Sequence, residues 1–309
     1  MTSFTPNREK NKAIVVAGPT ASGKSTLAIR LAQAANGVVI NADSMQVYRD
    51  APTLTARPTV EDERKVPHRL YGFLEPDESF SVFKWVRAAA AEMRAAWAAG
   101  KIPVVVGGTG LYLQTLINGM SPVPQADAAV RQSVRDECER LGFDAFLADF
   151  QRKDPDFSFT DPQRVLRAAE VLAQTGKSVT YWQSLPFEKA VDADFHDILV
   201  NPDRAELYAR CDKRFDLMMQ SAAENEVRAL LAKNPPADSL IMKAVGVAEI
   251  TAFLNGEATM DQAVARARQA TRNYAKRQIT WFRHRFRADT VVSDAESNDA
   301  LTDALHFLS

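Results

Sequence analysis

A short β-branched run, AIVVAG at 13–18, shares its last glycine with GPTASGKS at 18–25, and a helical pattern starts immediately afterwards. Strand, G-x-x-x-x-G-K-S and helix in that order leave few folds open, because the loop must sit at the carboxyl end of a buried strand. Its glycines let successive backbone N–H groups curl around a phosphate at a helix N-terminus, where the dipole favours negative charge. Gly18, Pro19, Thr20, Ala21, Ser22, Gly23, Lys24 and Ser25 form this cradle. Lys24 would neutralise the outer oxygens, and the Ser25 hydroxyl would ligate Mg²⁺. The competing reading is a glycine-rich turn without a ligand. The loop specifies a diphosphate and leaves open the group attached to it.

Strand and helix patterns alternate through the first hundred residues. VVINADS (38–44) reads as a second strand ending on an acid, an Ala-rich helix over 80–101 stops at Gly100, and IPVVVGG (102–108) reads as a third strand. Continuous apolar strands between helices predict an α/β fold, a parallel sheet flanked by helices as in P-loop nucleotide-binding proteins. Three loops then gather at the carboxyl ends of the strands, at 18–25, 41–46 and 107–112. From about 123 to 190 the chain turns helical and charged, which predicts a helical insertion domain within a core formed by 1–122 and 191–309. In it DPQRVLRAAEVLAQTG places Asp161 as N-cap, Pro162 at the first helical position and Gly176 as the stop. HDILVN (196–201) reads as a returning strand, and the remainder as mostly helix.

Composition narrows the setting. The chain's 309 residues are 46% hydrophobic and 25% charged, and its two cysteines, Cys138 and Cys211, lie outside any metal-ligand spacing. Free thiols predict a reducing cytoplasm. No apolar run approaches the roughly 20 residues of a membrane span, and the polar MTSFTPNREKNK lacks the apolar core of a signal peptide. The formal net charge of −1 would argue against nucleic acid if it were evenly spread.

It is not evenly spread. From Gln262 to Ala288 there is no acid, while Arg266, Arg268, Arg272, Lys276, Arg277, Arg283, Arg285 and Arg287 are basic. On a helix Arg268, Arg272, Lys276, Arg283 and Arg287 fall within an arc of about 100°. Ala263, Ala267, Ala270, Tyr274, Gln278 and Trp281 fall opposite, so the stripe is expected to face outward. A solvated charged face normally mixes signs; one sign suits a phosphate backbone. The acid at the end of the second strand, Asp43, has two readings: a metal-organising carboxylate of a kinase, or a general base facing the phosphate site.

GPTASGKS, NADSMQVY, PHRLYGF, VVVGGTGLYL, DPQRVLRAAEVLAQTGKS, EVRALL and TRNYAKRQITWFR occur in the order found in the tRNA dimethylallyltransferases, also called tRNA isopentenyltransferases. The chain resembles that family from about residue 13 to 287. The resemblance implies transfer of a dimethylallyl group from dimethylallyl diphosphate to N6 of adenosine 37, in tRNAs reading codons that begin with U, to give N6-isopentenyladenosine and diphosphate. It implies Asp43 as general base, and Thr20 and Arg214 beside the leaving diphosphate. It implies Mg²⁺ on Ser25, and it explains why such a loop also carries the label of an ATP site. The tRNA contacts it implies are Asp43, Ser44, Met45, Gln46 and Thr109 around the flipped base, and Arg131, Gln163, Arg164, Val165, Leu166 and Arg167 toward the anticodon stem-loop. The basic helix adds Arg272, Lys276 and Arg277. A cytoplasmic monomer with no membrane contact is expected. RDAPTLTARP (49–58), the short FSFT before DPQR, and Val247 depart from the usual family pattern. A Mg-ATP-dependent small-molecule kinase would explain the phosphate loop but not the basic stripe. A non-catalytic RNA-binding switch would explain the stripe but not the carboxylate.

Overall fold

A computed structural model describes residues 10–309; the polar stretch 1–9 lies outside the described residues. Along the chain run β1 (Asn11–Ala17), α1 (Lys24–Ala34), β2 (Gly37–Asn41), α2 (Val60–Lys65), β3 (His68–Arg69), α3 (Val82–Ala98), β4 (Ile102–Gly107) and α4 (Gly110–Asn118). Four helices follow: α5 (Ala128–Leu141), α6 (Phe143–Lys153), α7 (Pro162–Thr175) and α8 (Val179–Gln183). Then come β5 (Ala193–Val200), α9 (Arg204–Gln220), α10 (Ala223–Ala232), α11 (Val247–Leu254), α12 (Met260–Arg285), β6 (Thr290–Val292) and α13 (Asn298–Leu308). These residues form two compact units, 10–117 with 190–309, and 118–189.

The first unit is the expected α/β fold. Its six strands are all parallel, in the order β3-β2-β4-β1-β5-β6. The inner strands carry buried apolar runs, such as 13–17 in β1 and 198–200 in β5, because both faces are covered there. In β1, Ala13, Val15 and Ala17 pack under α3, α4 and Phe282, while Ile14 and Val16 pack with Leu27, Ala28 and Leu31 of α1 and Ala300 and Ala304 of α13. Trp85 and Tyr112 stack at 4.5 Å inside the first layer. A third core joins α9, α10, α11 and α12 to the segment 47–54.

Two element ends differ from expectation for identifiable reasons. The second strand stops at Asn41, short of Ser44, because the Asn41 side chain takes over the backbone partners. Its Oδ1 accepts the Asp43 N–H at 2.8 Å, and its Nδ2 donates to the Asp43 and Leu70 carbonyls at 3.0 Å each. The basic helix stops at Arg285, because Phe286 is extended (φ −123°, ψ 123°) and packs against the sheet core. Arg287 therefore lies beyond the helix and outside its angular stripe. The edge strands β3 and β6, two and three residues long, are too short to leave a pattern in sequence.

In the second unit α5, α6 and α7 pack around Val134, Phe146, Phe150, Phe157 and Val165. Helix α7 has the expected punctuation: Asp161 accepts the Arg164 N–H at 3.0 Å, Pro162 opens the helix, and Gly176 at φ 68° ends it.

Candidate active site

The phosphate loop leaves β1 and enters α1 with Ala21 at φ 62° and Gly23 at φ 91°. Alternating these left-handed residues with their neighbours turns backbone N–H groups into a shared concavity. Helix α1 has neither a side-chain cap nor an acid in its first turn, so its positive end is left open to an external anion. Lys24 folds over the loop, its Nζ donating to the Pro19 carbonyl at 3.3 Å. Burial lowers its ammonium pKa to about 8; Asp43 opposes that shift, and Arg214 adds to it. Ser22 Oγ is buried without a partner, whereas Ser25 is exposed in the first turn of the helix. A cleft of about 280 Å³ is lined by Ala21, Gly23, Lys24, Ser25, Arg210 and Arg214.

Asp43 follows β2 and is partly buried. Its backbone is gripped by Asn41, as described above, and its Oδ1 accepts the Met45 N–H at 2.9 Å. Trp85 steadies the base of this turn by donating to the Asn41 carbonyl at 2.8 Å. Thr109, in the loop after β4, accepts the Ser44 N–H on its Oγ1 at 3.0 Å and donates its own N–H to the Ala42 carbonyl at 3.2 Å. Two of the three expected loops are thus bonded together.

Asp43 opens into a cavity of about 170 Å³. Thr20, Arg214, Lys243, Tyr274 and Arg277 supply its polar lining, and Met45, Leu54, Phe215, Met218, Ala244 and Val245 its apolar one. Arg214 is shared with the phosphate cleft and hydrogen-bonds the Thr20 hydroxyl. Burial pulls its guanidinium pKa below the usual arginine range, and Asp43 partly restores it. The space therefore has a cationic end, a carboxylate and an apolar wall, a combination suited to an amphiphilic anion.

Among the described residues no cluster of three or more His, Cys, Asp or Glu suits a metal. The donors present, an exposed Ser25 hydroxyl beside a phosphate-binding loop, fit a hard cation that keeps water and takes phosphate oxygens. They fit magnesium.

A family model described as IPP transferase matches residues 46–285, and one described as isopentenyl transferase matches residues 11–74. The chain belongs to this family. It is 46% identical over 293 residues to a tRNA dimethylallyltransferase of Paramagnetospirillum magneticum, covering 94% of this chain and 93% of that one. A tRNA dimethylallyltransferase of Rhizobium etli is likewise 46% identical, over 88% of this chain and 93% of its own. Among solved structures, a tRNA isopentenylpyrophosphate transferase from Bacillus halodurans superposes with a TM-score of 0.70 at 30% identity, over 97% of this chain and 96% of its own. A eukaryotic dimethylallyltransferase acting on tRNA superposes with a TM-score of 0.81 at 27% identity, over 96% of this chain and 78% of its own.

Several residues that the family resemblance suggested for RNA contact are committed inside the fold. Val165 is fully buried in the core of the second unit and presents no surface. Its neighbour Leu166 packs against the same core. Arg167 donates to the Pro124 carbonyl at 2.7 Å and lies 3.6 Å from Glu170, whereas Arg131, Gln163 and Arg164 are exposed, Arg164 lying over Phe159. Gln46 spends its Nε2 on the Thr55 and Ala56 carbonyls at 2.9 Å each, pinning the atypical 49–58 segment. Glu226 of α10 completes that anchorage by accepting the Thr53 and Leu54 N–H groups at 2.9 and 3.0 Å.

The expected outward stripe on α12 is also corrected. Arg268 pairs with Asp216, and Arg272 with Asp212 at 2.6 Å, both acids lying on α9. Lys276, Arg277 and Arg283 are exposed. The opposite face packs as expected, with Ala263, Ala267 and Gln278 buried. Lys243 and Glu226 were given no site role from sequence, and Tyr274 was placed only on the inward face of its helix; only the fold brings them to the cavity or its anchoring loop.

Proposed function

We propose that this chain transfers the dimethylallyl group of dimethylallyl diphosphate to N6 of adenosine 37 in the anticodon stem-loop of tRNAs reading codons that begin with U. The products are N6-isopentenyladenosine and diphosphate. The observation that carries the reading is the single cavity bounded by Asp43, by Thr20 with Arg214, and by an apolar wall, adjoining the phosphate cleft through Arg214.

The bond from the allylic carbon to the bridging oxygen breaks as the bond to N6 forms. The adenine amine is a poor nucleophile because its lone pair is delocalised, so it must lose a proton as it attacks. Asp43 would take that proton on Oδ2, since Oδ1 is held by the Met45 N–H. The Thr20 hydroxyl, held by Arg214, would face the bridging oxygen. Lys24, Arg214 and the open amides of the loop would stabilise the charge growing on the leaving group. Ser25 would hold magnesium, which when bound supplies further charge neutralisation on the diphosphate. Met45, Leu54, Phe215 and Met218 would shelter the five-carbon group from water. Exposed Lys276 and Arg277, with Arg131, Gln163 and Arg164, would meet the RNA backbone; Ser44, Thr109 and the remaining faces of Gln46 would meet the extruded base. Unstacking that base is comparatively cheap in a single-stranded loop. A cytoplasmic monomer is part of the proposal; the two free cysteines support the reducing compartment.

The test is label transfer from dimethylallyl diphosphate into unmodified tRNA without ATP, for wild type and Asp43→Asn. Wild type is expected to label the tRNA, and Asp43→Asn to turn over about 10²–10⁴ times more slowly at unchanged tRNA affinity. Near-normal turnover by Asp43→Asn removes it as the base. A requirement for ATP removes the transferase reading.

A further inference from the structure

Gln278 lies buried on α12, a helix whose packed face is otherwise built of small and apolar residues apart from Thr271. Its Oε1 accepts the Thr20 N–H at 2.8 Å, and its Nε2 donates to the Gly108 carbonyl at 2.9 Å. These are backbone groups of two different loops, the phosphate loop after β1 and the loop after β4. The second loop in turn holds the Asp43 turn, through Thr109 to Ser44 and Ala42. One carboxamide therefore spans the phosphate grip and the loop chain that ends at the carboxylate.

The packing gives an independent sign of the same link. A Cβ built on Gly108 would lie 2.3 Å from Gln278 Nε2, and one on Gly110 would lie 2.2 Å from the Trp281 ring. At Gly110 the backbone lies closer to the Trp281 ring of α12 than a residue with a side chain allows, which explains the glycine there. The Thr20 N–H, committed to Gln278, is withdrawn from the phosphate concavity. Thr20 can then present only its hydroxyl there, in the grip of Arg214.

We infer that Gln278 is a positioning residue for the transfer: it fixes the spacing between the diphosphate grip and Asp43 by bonding Thr20 and Gly108 at once. This inference rests on the proposed transfer to tRNA. The position needs an acceptor and a donor together. A carboxylate there would supply the acceptor but set an oxygen against the Gly108 carbonyl; a protonated carboxyl would restore the donor. Burial raises the pKa of such a carboxyl, bringing its titration within an accessible pH range.

The experiment uses the full chain as wild type, Gln278→Glu and Gln278→Met, with thermal midpoints recorded for each. We expect Gln278→Met to lower kcat by roughly 10–100-fold while KM for tRNA stays within about twofold, the scale of a small misplacement of reacting groups. Gln278→Glu is expected to lose as much at about pH 8 and to recover about tenfold, relative to wild type at the same pH, toward pH 6. A folded Gln278→Met with wild-type kcat, or a Gln278→Glu deficit equal at both pH values, overturns the inference. If Gln278→Met does not fold, the pH profile of Gln278→Glu decides. Wild type inactive on tRNA would sink the transfer reading instead. The link is then read without turnover, from the ¹⁵N–¹H shift of the Thr20 amide. That shift should show a titration in Gln278→Glu beyond the one that Lys24, bonded to the Pro19 carbonyl, gives both proteins near pH 8; a profile identical to wild type overturns the link.

Discussion

Lys24 keeps a charged group where burial resists it, and the loop is tuned by that conflict. Burial lowers the ammonium pKa to about 8, Asp43 acts in the opposite direction, and Arg214 adds to the fall. An anion seated in the cradle would favour the charged form, so binding and protonation are linked. Relative to Lys24→Arg, which shares the ligand's own ionisations, wild-type affinity for inorganic diphosphate should hold below about pH 7.5 and fall by up to about tenfold per pH unit above 8. Calorimetric titration across pH checks it; a wild-type profile parallel to that of the arginine variant removes Lys24 as the source. At this scale the phosphate loop was legible because its geometry depends on the order of its own residues. Gln278 was legible only as a residue facing the body. What marks it is a polar side chain on a face of small residues, and no pattern names the loop it reaches.

Helix α12 does two jobs with its cations. Its upper arginines, Arg268 and Arg272, are matched by Asp216 and Asp212 and fasten it to α9, the helix that carries Arg214. Half-exposed pairs of this kind contribute only about 0.2–1 kcal/mol each, so they set register more than stability. The exposed Lys276 and Arg277 remain available for phosphates. Lys276→Ala combined with Arg277→Ala should lower the slope of log tRNA affinity against log salt by about two, and Arg272→Ala by less than one. A fall of about one for Arg272→Ala would mean that Arg272 leaves Asp212 when RNA binds. The absence of acids from 262 to 288 made the helix and its charge readable from sequence. Its partners were not readable, because Asp212 and Asp216 belong to a different helix. Val165 shows the same limit in the second unit: a motif can mark a helix without saying which of its residues turn inward.

The strand order of the whole molecule explains what else was readable. Strands β1, β2, β4 and β5 are covered on both faces and had to be apolar, so they announced themselves; β3 and β6 at the edges did not. The sheet also buries one group at odds with its surroundings. Asp197 on β5 donates its N–H to Asp289 Oδ2 at 2.8 Å and accepts the Asp289 N–H on its carbonyl at 2.7 Å, while its own Oδ1 is buried without a partner. Burial, with the charge of Asp289 adding to it, pushes the carboxyl pKa up to about 7. The folded value lies above the unfolded one, so the stability that the protonated group contributes is full below about pH 4 and is lost as pH rises through 7. Asp197→Asn should therefore raise the thermal midpoint by several degrees near pH 8 and by little near pH 4. An equal shift at both values would mean the carboxyl is already ionised across that interval.

The position of β1 between β4 and β5 also bears on how the chain is made. A ribosome adds about 5–20 residues per second, so the first strand waits roughly ten to thirty-five seconds for its neighbour at 193–200 to emerge. Through that interval a strand of apolar residues stands with one side unpaired, an open template for other chains. A nascent polypeptide of this design has reason to need a chaperone between the synthesis of its phosphate loop and the moment that loop is locked in place.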